Sequence, residues 1–179
     1  MPTYHCISPA GVLDAERRHR VAQAITQIHE EVGGSAGFFA HVYFTETPPG
    51  AYFVGGHALE GDHLAIQGFT RAGRKPEVLT LLVASLVTTV SEAADLPQRK
   101  VWVYLGELPH GQMAEWGHVV PAIGDEQPWF AAMPEDDRVA IERFAAKLSY
   151  PPKPTYHGSL GKLPPRVEPA EPAVRQQRV

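Results

Sequence analysis

The first segment with a readable pattern is PTYHCIS, which predicts a short strand; Pro9, Gly11 and Asp14 then break the strand and cap the next element. From Ala15 the apolar positions Val21, Ala24, Ile25, Ile28 and Val32 recur at three- and four-residue spacing, the mark of one buried helix face. Gly33-Gly34 predicts the end of that helix, because glycine takes the left-handed conformation that a helix C-terminus favours. The aromatic and β-branched run GFFAHVYFTE predicts a second strand, TPPG a turn and AYFVGG a short hairpin piece. The order then repeats. HLAIQGFT predicts a strand and RAGRKP a loop, with Pro76 suited to a first helical turn. EVLTLLVASLVTTVSEAA predicts a helix and KVWVYLGEL a further strand.

Two β-α-β units, about 2–60 and 61–120, therefore stand in tandem. A long helix between two strands calls for a right-handed crossover and a parallel strand pair. The expected fold class is α/β, a two-layer sandwich with four strands on one side and two helices on the other. An apolar sheet face without helices normally meets another sheet or subunit, so an oligomer is expected. After Pro134, EDDRVAIERFAAKLS predicts a third helix with Val139, Ile141, Phe144, Ala145 and Leu148 on one face, expected to dock on the core. Residues 1–150 form the expected domain. Residues 151–179 hold seven of the 17 prolines and few large apolar side chains, which predicts a flexible tail. The same stretch also suits a strap along a neighbouring subunit.

Composition narrows the class. The chain has 179 residues, 44% hydrophobic and 20% charged, in the range of one globular domain. A formal charge of −4 without blocks of like charge implies neither a nucleic-acid groove nor a membrane surface. The expected partner is a small molecule or another copy of the chain. Cys6 is the single cysteine, which excludes an internal disulfide framework and a C-x-x-C site and fits a reducing cytoplasm. No signal peptide is read at the start. The longest apolar run, VLTLLVASLVTTV, is interrupted by Ser85, Thr88 and Thr89 and is expected to fall short of a membrane span.

Four stretches carry groups able to do chemistry. Removal of Met1 would expose the secondary amine of Pro2, whose pKa falls in an apolar pocket so that it exchanges protons near neutral pH; equally, proline can simply start a strand. Arg71 and Arg74 are spaced to converge on one carboxylate, or to form a solvated basic turn. Trp102 and Tyr104 share a strand face, and Glu115 comes next, near the strand's end. A carboxylate beside a tyrosine hydroxyl would hold and deprotonate water. His29, in the last turns of the first helix, serves either a site or the helix dipole. No metal-ligand spacing and no G-x-G-x-x-G pattern is present.

Taken together, PTY, AITQIHEEV, QGFTRAGR, VWVYLGELP, QMAEWG and EQPWF, from Pro2 to about Phe130, resemble the tautomerase superfamily built on the 4-oxalocrotonate tautomerase fold. The resemblance is closest to its fused-subunit branch, the cis-3-chloroacrylic acid dehalogenases. It implies that Pro2 is the catalytic proton donor or acceptor. It further implies that His29, Arg71 and Arg74 bind a substrate carboxylate, and that Tyr104 and Glu115 orient and activate water. The implied reaction is hydration of a small α,β-unsaturated acid, without cofactor or metal, in a homotrimer.

Several positions depart from the family. Trp116 stands after the glutamate where a tyrosine is expected; Ser35 and Phe39 fall at pocket-lining places, and Val119 and Val120 also differ. These changes bear on pocket shape, so efficient cis-selective dehalogenation is not carried over. Two other readings stay open: a tautomerase or decarboxylase of small keto acids with Pro2 as base, and a catalytically silent binding protein.

Overall fold

The computed structural model describes residues 2–34 and 39–147. Ser35, Leu148, the start methionine and the proline-rich stretch 151–179 lie outside the described residues. Strand β1 (Thr3–Pro9) leads to helix α1 (Ala15–Glu31), strand β2 (His41–Thr47) and a small hairpin, β3 (Phe53–Val54) with β4 (His57–Ala58). The second unit is β5 (Leu64–Arg71), α2 (Pro76–Ala93) and β6 (Val101–Leu108). A further hairpin, β7 (Ala114–Glu115) with β8 (His118–Val119), precedes α3 (Glu126–Ala131) and α4 (Glu135–Lys147).

The four long strands form one sheet in the order β2-β1-β5-β6. Within each unit the strands are parallel, and the units meet through antiparallel β1 and β5, where Cys6 faces Ile66. This is the expected tandem β-α-β sandwich. Asp14 caps α1 by accepting the Arg17 N–H at 2.8 Å, and Pro76 opens α2, where a missing N–H costs nothing.

Strand alternation sorts the side chains. Tyr4, Cys6, Leu64, Ile66 and Val101 turn toward the helices, where Val21, Ala24, Ile25, Leu82, Leu86 and Val90 meet them in one buried cluster. Burying each of the larger aliphatic side chains contributes about 1.5–3 kcal/mol, so this seam fixes the helices on one face. Tyr43, Phe69 and Tyr104 point to the other face and are about half exposed.

Four expectations need revision. The second described strand starts at His41, so Phe39 precedes it. At 18 residues and a mean hydropathy of 1.3, α2 is long and apolar enough by length and composition to cross a membrane. Seven of its residues are nonetheless buried against the sheet and α1, as in a core helix. The segment after β6 is more ordered than a loop. Trp116 and Gly117 both have positive φ, the geometry of a two-residue hairpin turn, and neither Asn-Gly nor Asp-Gly marks it. Finally, α4 packs beside that hairpin and α3 instead of on the α1/α2 cluster. Ile141 is buried, Phe144 stays partly exposed in an edge contact with Trp116 at 5.3 Å, and Asp137 accepts from His118 at 2.9 Å.

Candidate active site

Pro2 is buried at the start of β1, where its carbonyl accepts the His41 N–H at 2.9 Å. Because Thr3 pairs with Phe69, the antiparallel register sets Pro2 opposite Thr70, at the end of β5 that carries Arg71 and Arg74. The chain between β5 and α2 brings the Arg74 guanidinium to the C-terminal end of α1, whereas the Arg71 guanidinium turns to the segment after β8.

His29 is fully buried, deeper than a position merely at the edge of the core, and it does not act through the helix dipole. Its Nδ1 is 2.8 Å from the Tyr4 hydroxyl and its Nε2 is 3.4 Å from Arg74 Nη2. Burial first, then the Arg74 charge, press the imidazole down to about 3, so it is neutral at physiological pH. Tyr4 is held well above its ordinary value by burial, against the opposing pull of Arg74, and stays a phenol. An arginine only donates, so Nε2 accepts from Arg74 and Nδ1–H donates to Tyr4 when nothing else is present.

Arg74 is anchored by three acceptors: the Gly33 carbonyl at 2.9 Å, Thr70 Oγ1 at 2.9 Å and the Arg71 carbonyl at 2.9 Å. Burial, then Arg71, lower its pKa. Arg71 is 5% exposed and donates to the carbonyls of Pro121 and Ala122 and, through a short ion pair, to Glu126. The two arginines therefore do not face one empty space equally. A carboxylate of the chain already occupies Arg71, and sequence reading missed Glu126 because its partner lies 55 residues away. Burial acts to raise the Glu126 carboxyl, and the Arg71 hydrogen bond and charge, together with the backbone N–H groups of Glu126 and Gly124, outweigh it and lower its pKa, so Glu126 is an anion.

Glu115 ends β7, and its Oε2 is shut away from water with no hydrogen-bond partner among the described residues. Burial raises its pKa; positive charge at the amino terminus, on His41 and on Arg71 opposes the shift without cancelling it. The amino-terminal charge acts on His29 as well. His29, Arg71, Arg74 and Glu115 thus gather round the start of β1. Tyr104 does not join them within one chain. It pairs with Gln67, which pairs with His5, so it stands two strands over and further along the open face, 61% exposed. The expected Tyr104–Glu115 pair is absent for this reason.

A buried strand start at Pro2, a neutral imidazole backed by a phenol, two anchored arginines and a half-buried carboxylate form a polar site with the groups to bind a small anion. A family model described as "Putative oxalocrotonate tautomerase enzyme" matches residues 1–132. N1, a member of the cis-3-chloroacrylic acid dehalogenase family, superposes with a TM-score of 0.75 at 31% identity, covering 79% of this chain and 99% of its own. The F6 fused 4-OT, an asymmetric trimer, gives 0.62 at 23% identity, with 68% and 98% covered. A native fused 4-OT gives 0.62 at 24%, again with 68% and 98% covered. No curated protein sequence matches significantly. The chain belongs to the tautomerase superfamily, in the fused-subunit branch of the cis-3-chloroacrylic acid dehalogenases.

Proposed function

We propose that the protein is a cofactor-independent hydratase that adds water across the C2–C3 unsaturation of a small α,β-unsaturated carboxylic acid, with dehalogenation where C3 carries a halogen. The observation that carries this reading is Glu115 Oε2, buried and unpartnered. A proton-shuffling tautomerase has no use for such a group, whereas a hydratase needs it to hold water.

The substrate carboxylate would sit on Arg74 and the Arg71 edge. Its arrival calls for a donor from His29. Tyr4, a phenol, then gives its hydrogen bond to Nδ1, which fixes the N–H on Nε2, the nitrogen facing Arg74. The cationic groups draw electron density from C3. Glu115, its basicity raised by burial, takes a proton from water as oxygen bonds to C3, and the protonated Pro2 amine delivers a proton to C2. With chlorine on C3 the halohydrin expels HCl to give malonate semialdehyde; an acetylenic acid reaches the same product through its enol. Exchange with solvent returns the proton from Glu115 to the amine.

Tyr104, exposed on the open sheet face, would enter this site from a neighbouring copy. Trimers among the fused 4-OT relatives supply the assembly this requires.

The test is intact mass and then turnover of cis- and trans-3-chloroacrylate and propiolate. A mass short by one methionine is expected, with turnover lowered about 10²–10⁴-fold in Pro2→Ala and in Glu115→Gln. Undiminished turnover in Glu115→Gln sinks hydration and leaves a tautomerase or decarboxylase using Pro2 as base. Retained Met1 with no turnover leaves a binding protein.

A further inference from the structure

The two units repeat not only their elements but their register. Thr3 pairs with His41 in the first unit as Leu64 pairs with Val101 in the second, so His63 stands in the second unit where Pro2 stands in the first. By the same offset, Ala10, Gly11, Val12 and Leu13 replace Arg71, Ala72, Gly73 and Arg74. The pseudo-twofold axis between β1 and β5 therefore generates a second position, at the opposite end of the sheet, equivalent to the candidate active site.

That position is a cavity. It is an open cleft of about 470 Å³, within the range of small-molecule sites, and its wall includes Pro9, Ala10, Val12 and His63. His63 is 1% exposed, its ring stacked on Trp102 at 5.7 Å and tilted against Tyr52, also on the cavity wall, at 4.7 Å. Its Nδ1 lies 3.3 Å from the Gly61 carbonyl, which only accepts, so Nδ1 carries the hydrogen. Nε2 is buried without a hydrogen-bond partner among the described residues. A buried polar atom left in this state is unfavourable, and a donor that reached it from the cavity would satisfy it.

The electrostatics are inverted with respect to the first site. Glu60 and Asp62 are the charged residues on the wall, and neither lysine nor arginine lines it. The remaining surface comes largely from prolines, Val12, Leu59 and the Tyr52 ring, a face that favours apolar rings and cations.

We propose that this cavity is a second ligand site, the pseudosymmetric counterpart of the Pro2 site, and that it binds a small organic ammonium carrying an apolar ring. Its N–H groups face Glu60, Asp62 and His63 Nε2, and its ring lies on Tyr52 and the prolines. The assignment stands independently of the chemistry at Pro2.

The test titrates the full-length protein with tyramine and, separately, with 3-(4-hydroxyphenyl)propionate, which keeps the ring and replaces the amine by an acid. The ¹H–¹³C signals of the His63 ring, assigned through contacts with Tyr52 and Trp102, are the readout. Saturable movement with the amine and none with the acid is expected. The exposed-site double variant Glu60→Gln/Asp62→Asn, which leaves the core untouched, should weaken amine binding about ten-fold. The proposal is overturned by unmoved His63 signals at millimolar tyramine, by equal response to the acid, or by undiminished binding in the double variant.

Discussion

At the scale of single residues, His29 shows how burial sets function. Its pKa of about 3 lies below the unfolded value of 6.5, so the unfolded chain binds the extra proton first as pH falls. The stability it contributes is complete above about pH 6.5 and is lost as pH drops toward 3, with a slope of at most about 1.4 kcal/mol per pH unit. Urea unfolding of the wild type and of His29→Gln at pH 7 and pH 4.5 checks this. The wild type should lose more stability between the two pH values, and equal losses would mean that His29 is already protonated in the fold. The same burial explains what a sequence can convey at this scale. The places of Pro2, His29, Arg71 and Arg74 at strand and helix ends can be read from spacing, whereas their grouping into one candidate site comes from the family resemblance. Glu126 on Arg71, and the separation of Tyr104 from Glu115, depend on how the chain after β6 folds back, which local spacing does not encode.

At the scale of elements, the register of β1 against β5 places Pro2 opposite Thr70 in the candidate site, and one glycine makes the approach possible. Gly68 pairs with Tyr4, and a Cβ there would come 2.6 Å from Tyr4 Cε1 and 3.0 Å from a Leu105 methyl. Tyr4 has no room to yield, because it is fully buried and its hydroxyl is tied to His29. Gly68→Ala should therefore cost about 1–3 kcal/mol in urea unfolding. It should also raise KM for a carboxylate substrate by displacing the Tyr4–His29 pair. Unchanged stability would show that the strands separate there at little expense. The strands and long helices were readable because their apolar periods are unambiguous. The β7–β8 turn was not, since Trp116-Gly117 reaches a hairpin geometry without the residues that normally signal it. The docking of α4 also escaped the pattern, because a helix with one fully buried side chain among the described residues, Ile141, gives a weak indication of which surface it meets.

At the scale of the whole molecule, the sheet has one face sealed by α1 and α2 and one left open. The open face carries Tyr43, stacked on His5 at 4.4 Å, together with Phe69 and Tyr104. Exposed aromatic side chains grouped on one sheet face mark an association surface. Phe69, half exposed and lying over Gly106, is the residue at which to test this, since its side chain contributes nothing to the helix-side core. Phe69→Asp would place an unpaired carboxylate within an interface, a change strongly opposed by desolvation, while leaving the folded unit intact. If the chain assembles as the proposed trimer, sedimentation equilibrium should then fall from that trimer to the 19.6 kDa monomer, with an unchanged far-ultraviolet circular dichroism spectrum. If Tyr104 serves the site of a neighbour, turnover should fall with the loss of assembly and return in mixtures that restore it. A variant that remains trimeric would show that copies meet through another surface, and that Tyr104 faces solvent instead of an active site.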